Sequence, residues 1–318
     1  MTTLSGGLRR ARRGSSPGGP GETMHRRTSK LKAQTSRTYL AMLIPSVILL
    51  VVINAYPLVF AAIQATHDGS LIETGKFVGF DNFAKVLASD HFWQAVQFTM
   101  IFTVVGVFGS WAVGLAFSLL LRTHTPGTGI FKVLLLLPWV VPIVVSATAW
   151  NWLVATPDSL VPAIFHAVGL NTPLFLANAT LAQVLVCVFK VWVSFPFMMM
   201  MSSAALASVD DTLYEAASID GASTVQKFTQ ITLPITARST YISWILMTTF
   251  CVNDFPTIYL LTTGGPVNAT TTLVVYAYRS VFQDFQTGPG VAVAFLMTLT
   301  LVLVSIILYR QIRKGHVE

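Results

Sequence analysis

Residues 214–234 read YEAASIDGASTVQKFTQITLP, a mixed polar and apolar stretch between two long, apolar, nearly uncharged segments. Asp211, three residues after Ser208, has the spacing of a capping box for a helix through Ile219. Gly221 suits the left-handed residue that closes such a helix. Ser223 is placed to cap a second helix carrying Val225, Phe228 and Ile231 at helical spacing, and Pro234 is expected to end or kink it. Ala216 and Ala217 keep one face flat. Two short helices at an angle, with a small-residue face and an apolar stripe, make a knob suited to a partner's groove. An ordinary surface loop is the other reading that these residues leave open.

The rest of the chain sets the medium. Of 318 residues, 53% are hydrophobic and 10% charged, whereas soluble chains carry about a quarter charged residues. A hydrocarbon core about 30 Å thick needs roughly 20 mostly apolar helical residues. Six windows meet that length, at about 39–63, 95–121, 131–154, 180–207, 237–261 and 288–309. The first is too long for a signal-peptide core, and no A-x-A cleavage site follows it. The composition therefore predicts an all-α integral membrane protein with six transmembrane helices, preceded by a disordered basic tail over 1–38 and followed by a short tail over 313–318. Between spans one and two, an extended piece around GKFVGFDNF and then a short helix are expected, whereas 155–179 gives no readable structure.

Charge gives the orientation. With the N-terminus inside, sixteen Lys and Arg fall in cytoplasmic segments, nine of them in the tail, against Lys76, Lys85 and Arg279 outside. Both termini are then cytoplasmic, and the knob (about 208–235) lies inside, between spans four and five. The net charge of +7 sits largely in that tail, where a topology signal explains it better than nucleic acid does.

Several chemistries are missing from the sequence. No G-x-x-x-x-G-K-[ST] loop occurs, so no ATPase site is expected on this chain and no cofactor. H-E-x-x-H, G-x-S-x-G and Cys/His clusters are absent too, and Cys187 and Cys251 lack metal spacing. A membrane enzyme therefore has no candidate catalytic or metal site.

Glu215, Ala216, Ala217, Gly221, Ile231, Leu233 and Pro234 fit the E-A-A-x3-G-x9-I-x-L-P pattern, and here the chain resembles the permease subunits of ABC importers. YPLVF (56–60), VGFDNF (78–83), LLLPWVVPIVVSATAWNWL (135–153) and IYLLTTGGPVNATTTLVVYAYRSVF (258–282) resemble the carbohydrate-uptake branch, of the maltose-permease first-subunit type. The resemblance covers about 39–312. It implies a coupling loop that meets an ATPase and a multi-pass protein of a bacterial or archaeal cell membrane. The implied partners are a second homologous permease subunit, two ATP-binding cassette ATPase subunits that hold ATP and Mg, and an extracytoplasmic solute-binding protein that delivers a sugar-like solute. A polyol or glycerol phosphate is within the same expectation.

Charges at span depth point to a pathway. Lys190 lies about ten residues from the outer end of span four and Asp254 seven to ten from that of span five, so a rise of about 1.5 Å per residue places them at similar depth. They read either as a structural ion pair or as solute-lining groups beside Asn151, Trp150, Trp192, Phe195, Asn253 and Tyr259. Aromatic faces with amides suit a polyhydroxylated sugar. A secondary transporter that uses Lys190 and Asp254 for ion coupling is the rival reading, although it leaves the knob unexplained.

Overall fold

The structure, a computed structural model, describes residues 20–122 and 127–314. Helix α1 (Pro20–Thr66) takes in residues 20–38, which the sequence assigned to the tail, while 1–19 and 315–318 lie outside the described residues. Strands β1 (His67–Gly69) and β2 (Thr74–Phe77) form an antiparallel pair, and α2 (Asp81–Leu87) follows, as the extended piece and short helix expected there. Next come α3 (Asp90–Leu120), α4 (Thr128–Val140), α5 (Ile143–Val154), α6 (Leu160–Ala167) and α7 (Ala179–Leu206). The knob is built by α8 (Asp211–Ile219), α9 (Thr224–Lys227) and a π-helical turn over Phe228–Thr232. α10 (Leu233–Val252), α11 (Phe255–Leu261), α12 (Leu273–Phe282) and α13 (Thr287–Lys314) complete the chain. The chain up to Phe60 forms one unit, and the chain from Ala61 onward a second.

Among the described residues, four helical segments are long and apolar enough to cross a membrane: Met42–Thr66, Asp90–Leu120, Ala179–Leu206 and Thr287–Ile307. Two bent pairs raise the total to six if each pair counts as one crossing. All six sequence windows fall on these elements, but the third and fifth are not continuous helices. α4 and α5 meet at 90° because Val141 precedes Pro142, whose ring drives it out of helical geometry to ψ 133°. The helix ending at Val252 and α11 meet at 44°. There Asp254 caps a fresh helix with Pro256 in its first turn, a restart signal inside an apolar run.

In the second unit, α3 lies along α7. Gly106, Ser110 and Gly114 put a small residue every fourth position on α3, which lets the two backbones approach. A methyl at Gly109 would come within 2.7 Å of Val191, and one at Gly114 within 2.6 Å of the Met199 backbone nitrogen. Around this pair, Phe98, Phe102, Phe189, Met198, Met247 and Ile258 form the main core. A second cluster, with Val86, Leu273 and Val293, joins α2, α12 and α13. Asn82, fully buried, donates to the Ala65 and His67 carbonyls at 2.9 Å each, pinning the hairpin to α2.

Candidate functional site

The knob has two arms. α8 starts at Asp210, whose carboxylate accepts from the Thr212 N–H at 3.0 Å. This hydrogen bond holds the Asp210 pKa below the usual carboxylate value. Ser208, expected as the cap, is not the cap: α7 runs to Leu206, and the Ser208 hydroxyl turns back to donate to the Ala205 carbonyl at 2.7 Å. Gly221 closes the arm at φ 76°, with nothing within 4 Å of where a Cβ would sit. Its conformation, rather than a lack of space, is the reason for glycine.

Ser223 caps the second arm in a full capping box with Gln226. Pro234 does not end this arm. The π-turn just before it widens the helix, so the Leu233 N–H reaches the Phe228 carbonyl and the proline sits in the first turn of α10. One helix therefore runs from Thr224 to Val252, and the second arm is one end of a candidate span. The arms are braced to each other: Tyr214 and Thr232 share a hydrogen bond of 2.8 Å, and the Lys227 ammonium donates to Ser218 at 2.6 Å. Glu215, Ala216 and Pro234 are exposed, Ala217, Ile231 and Leu233 half-buried. Ile219, 87% exposed, and Val225, 70% exposed, stand out as apolar side chains at the joint.

At span depth Lys190 and Asp254 meet. The ammonium lies 2.7 Å from Asp254 Oδ2, and the two side chains are 7% and 10% exposed. The carboxylate also accepts from the Thr257 hydroxyl at 2.8 Å and the Thr257 N–H at 3.1 Å. One aspartate thus restarts α11 and neutralises α7's lysine. A methyl at Gly106 would come within 3.2 Å of Lys190 Cγ and 2.8 Å of Cys251 Sγ, so the pair is sealed by close packing.

The other expected pathway residues make contacts of their own. Asn151 donates to the Leu261 carbonyl at 3.1 Å and fastens α5 to the end of α11. Trp150, Trp192 and Phe189 pack together at 5.3–5.9 Å between ring centres. Phe195 is buried against Phe117, and Tyr259 stacks on Phe255 at 4.8 Å. Of the set only Asn253 is exposed, its amide donating to the Thr249 carbonyl.

One turn before it, Phe250 joins Trp139 and Phe197 in a trio with centres 5.2–6.0 Å apart. Trp139 and Phe250 remain 39% and 43% exposed. The sequence offered no cue to this trio, because its members come from α4, α7 and α10 and each alone looks like packing. A groove of about 350 Å³ between α3, α10 and α13, walled by Phe92, Met100, Val104, Trp244 and Leu296, is too apolar to satisfy a sugar's hydroxyls.

Comparison with known proteins puts this geometry in context. Residues 112–315 match the family model described as "Binding-protein-dependent transport system inner membrane component". The chain is 32% identical over 287 residues to the trehalose/maltose transport system permease protein MalF of Thermococcus litoralis, covering 90% of this chain and 96% of that one. It is 31% identical to the diacetylchitobiose uptake system permease protein DasB of Streptomyces coelicolor, covering 89% and 88%. In fold it is similar to a chain in the crystal structure of a bacterial ABC transporter involved in the import of the acidic polysaccharide alginate. That match has a TM-score of 0.75 at 20% identity and covers 90% of this chain and 99% of the other.

Proposed function

We propose a sugar or related polyol as the solute of this chain, which belongs to the family of binding-protein-dependent transport system inner membrane components. It is a membrane-spanning permease subunit of an ATP-driven importer, and the ATP is hydrolysed on separate subunits. The ion-coupled alternative has no support: Lys190 and Asp254 pair with each other, and Thr257 donates twice more to the carboxylate.

The observation that carries the reading is the braced knob on the inner end of a span. A chain that hydrolyses no nucleotide must receive its work through a contact. The two arms offer one: α8 presents the exposed Glu215 and Ala216 with Ala217 half-buried beside them, and the half-buried Ile231 and Leu233 anchor the second arm at the root of α10. On this reading the face docks in a groove of an ATP-binding cassette subunit, with Gly221 setting the angle between the arms. The chain crosses the cell membrane six times with both termini in the cytoplasm. It pairs with a second homologous permease and receives solute from an extracytoplasmic binding protein. The trio Trp139, Phe197 and Phe250, with Asn253 beside it, supplies ring faces and an amide to a polyhydroxylated solute. The disaccharide transport of the two relatives named above supports that class.

Uptake into proteoliposomes tests the function. With its fellow permease, the ATPases and the binding protein present, ATP should drive uptake of a di- or oligosaccharide; uptake driven by an ion gradient without ATPase subunits would sink the reading. Glycerol phosphate serves as the alternative solute in the same assay. Topology is tested by a membrane-impermeant thiol reagent. It should label cysteines engineered at Asp158 or Gln286 from outside and spare one at Gln226, and labelling at Gln226 in intact cells would reverse the orientation.

A further inference from the structure

The chain joins the knob to α7 and α10, but the structure joins it to a third span as well. Arg122 lies just past the end of α3, 89 residues from Asp211 in sequence. Its guanidinium pairs with the Asp211 carboxylate in the first turn of α8. It also sits over the Tyr214 ring, with Cζ 4.8 Å from the ring centre. The Tyr214 hydroxyl in turn holds Thr232 on the π-turn at the root of α10. One cation therefore gathers both arms, the first directly and the second through the tyrosine.

The geometry points to Arg122 as a positioning residue that transmits movement of the knob to α3, an inference that rests on the permease reading above. A guanidinium can do this where an ammonium cannot, because its plane stacks on a ring while its edge pairs with a carboxylate. α3 cannot absorb the displacement by slipping, because Gly109 and Gly114 seat it against the α7 side chains and backbone. A stroke on the knob would then move α3, α7 and α10 as a group; without Arg122, α3 would still be carried by α7, but its end would lose its alignment with the two arms. The arginine side chain is 33% exposed and its partner 82% exposed, so the tie contributes little to folding. Its work lies in orientation.

The test is the amount of solute moved per ATP hydrolysed, measured in proteoliposomes with the ATPase subunits added. In Arg122→Gln the ATPase subunits should still co-purify and hydrolyse ATP. Solute moved per ATP should fall about fivefold, the weight of one exposed ion pair reinforced by a cation–π contact. Arg122→Lys should fall in between. Tyr214→Leu should lower the ratio too, and the double variant should be no worse than the more severe single one. An unchanged ratio in Arg122→Gln, or additive losses in the double variant, would overturn the proposal. Loss of ATPase co-purification would also overturn it, by making Arg122 part of the docking surface. Absence of ATP-driven uptake in the wild type would instead refute the permease reading itself.

Discussion

Two polar regions stand out against the apolar bulk, and they are built on opposite principles. The Lys190–Asp254 centre is dry: both side chains are at most 10% exposed, and the carboxylate takes three hydrogen bonds from within the chain. The knob is wet and open. Glu215, Asp211 and Asp210 face solvent, and the apolar Ile219 and Val225 are left uncovered. A buried pair whose capacity is used up internally acts on the fold, locking α7 to the break between α10 and α11. In the exposed motif Asp210 and Asp211 are engaged within the chain, while Glu215, Ile219 and Val225 stay open to something outside it. Charge in a membrane protein therefore marks function less by its depth than by whether its partners are already present.

The largest effect should follow from breaking the dry pair. Lys190→Met leaves Asp254 as an uncompensated charge and should cost about 3–5 kcal/mol. A loss of folded protein in detergent, read by thermal unfolding, would show it. The double variant Lys190→Met, Asp254→Asn should recover most of that loss, since asparagine can still cap α11. Additive losses would mean that the two residues act separately and that the centre is not a lock.

A smaller change in stability with a larger change in function is expected at the knob. Gly221→Val places a β-branched residue at φ 76°, a cost of about 1–2 kcal/mol confined to the joint. The protein should insert and pair normally while ATP-driven uptake collapses. Gly221→Asn, which tolerates the left-handed region, should keep most of the uptake. Equal loss in both variants would show that something other than backbone conformation requires the glycine.

The smallest effect concerns the Asp210 cap. Its pKa is lowered in the folded state, so the cap's stabilisation is present above the unfolded value and is lost as pH falls through the folded one. Protection of the α8 amides, relative to their intrinsic exchange rate, should therefore fall only below about pH 4. Asp210→Asn, which can still cap α8, should remove that pH response, and an unchanged response in it would mean that another group is responsible.

Legibility followed the same division. The knob could be read from the sequence because its signals are local: Ser223 caps a helix and Gly221 ends one, each within a few residues. The misreadings there were local competitions too. Asp210 displaced Ser208 as the cap because the Ser208 hydroxyl turned back to the Ala205 carbonyl at the end of α7, and the π-turn accommodated Pro234 by supplying a more distant carbonyl. The pathway was less legible. Equal depth brought Lys190 and Asp254 together as one of two readings, but depth could not say that Thr257 would complete the site or that Asn151 would be spent on Leu261.

The sequence by itself determined the medium, the positions of the candidate spans and the knob. All three rest on composition or on spacing along a single helix, which the backbone's own geometry converts directly into structure. The tertiary structure alone decided which polar groups are consumed internally, where Trp139, Phe197 and Phe250 assemble, and that Arg122 reaches the knob from α3. Those facts depend on which faces of separate helices meet. In this chain close approach is set by small residues such as Gly109 and Gly114, and the apolar pattern cannot reveal it because every face of a span is apolar.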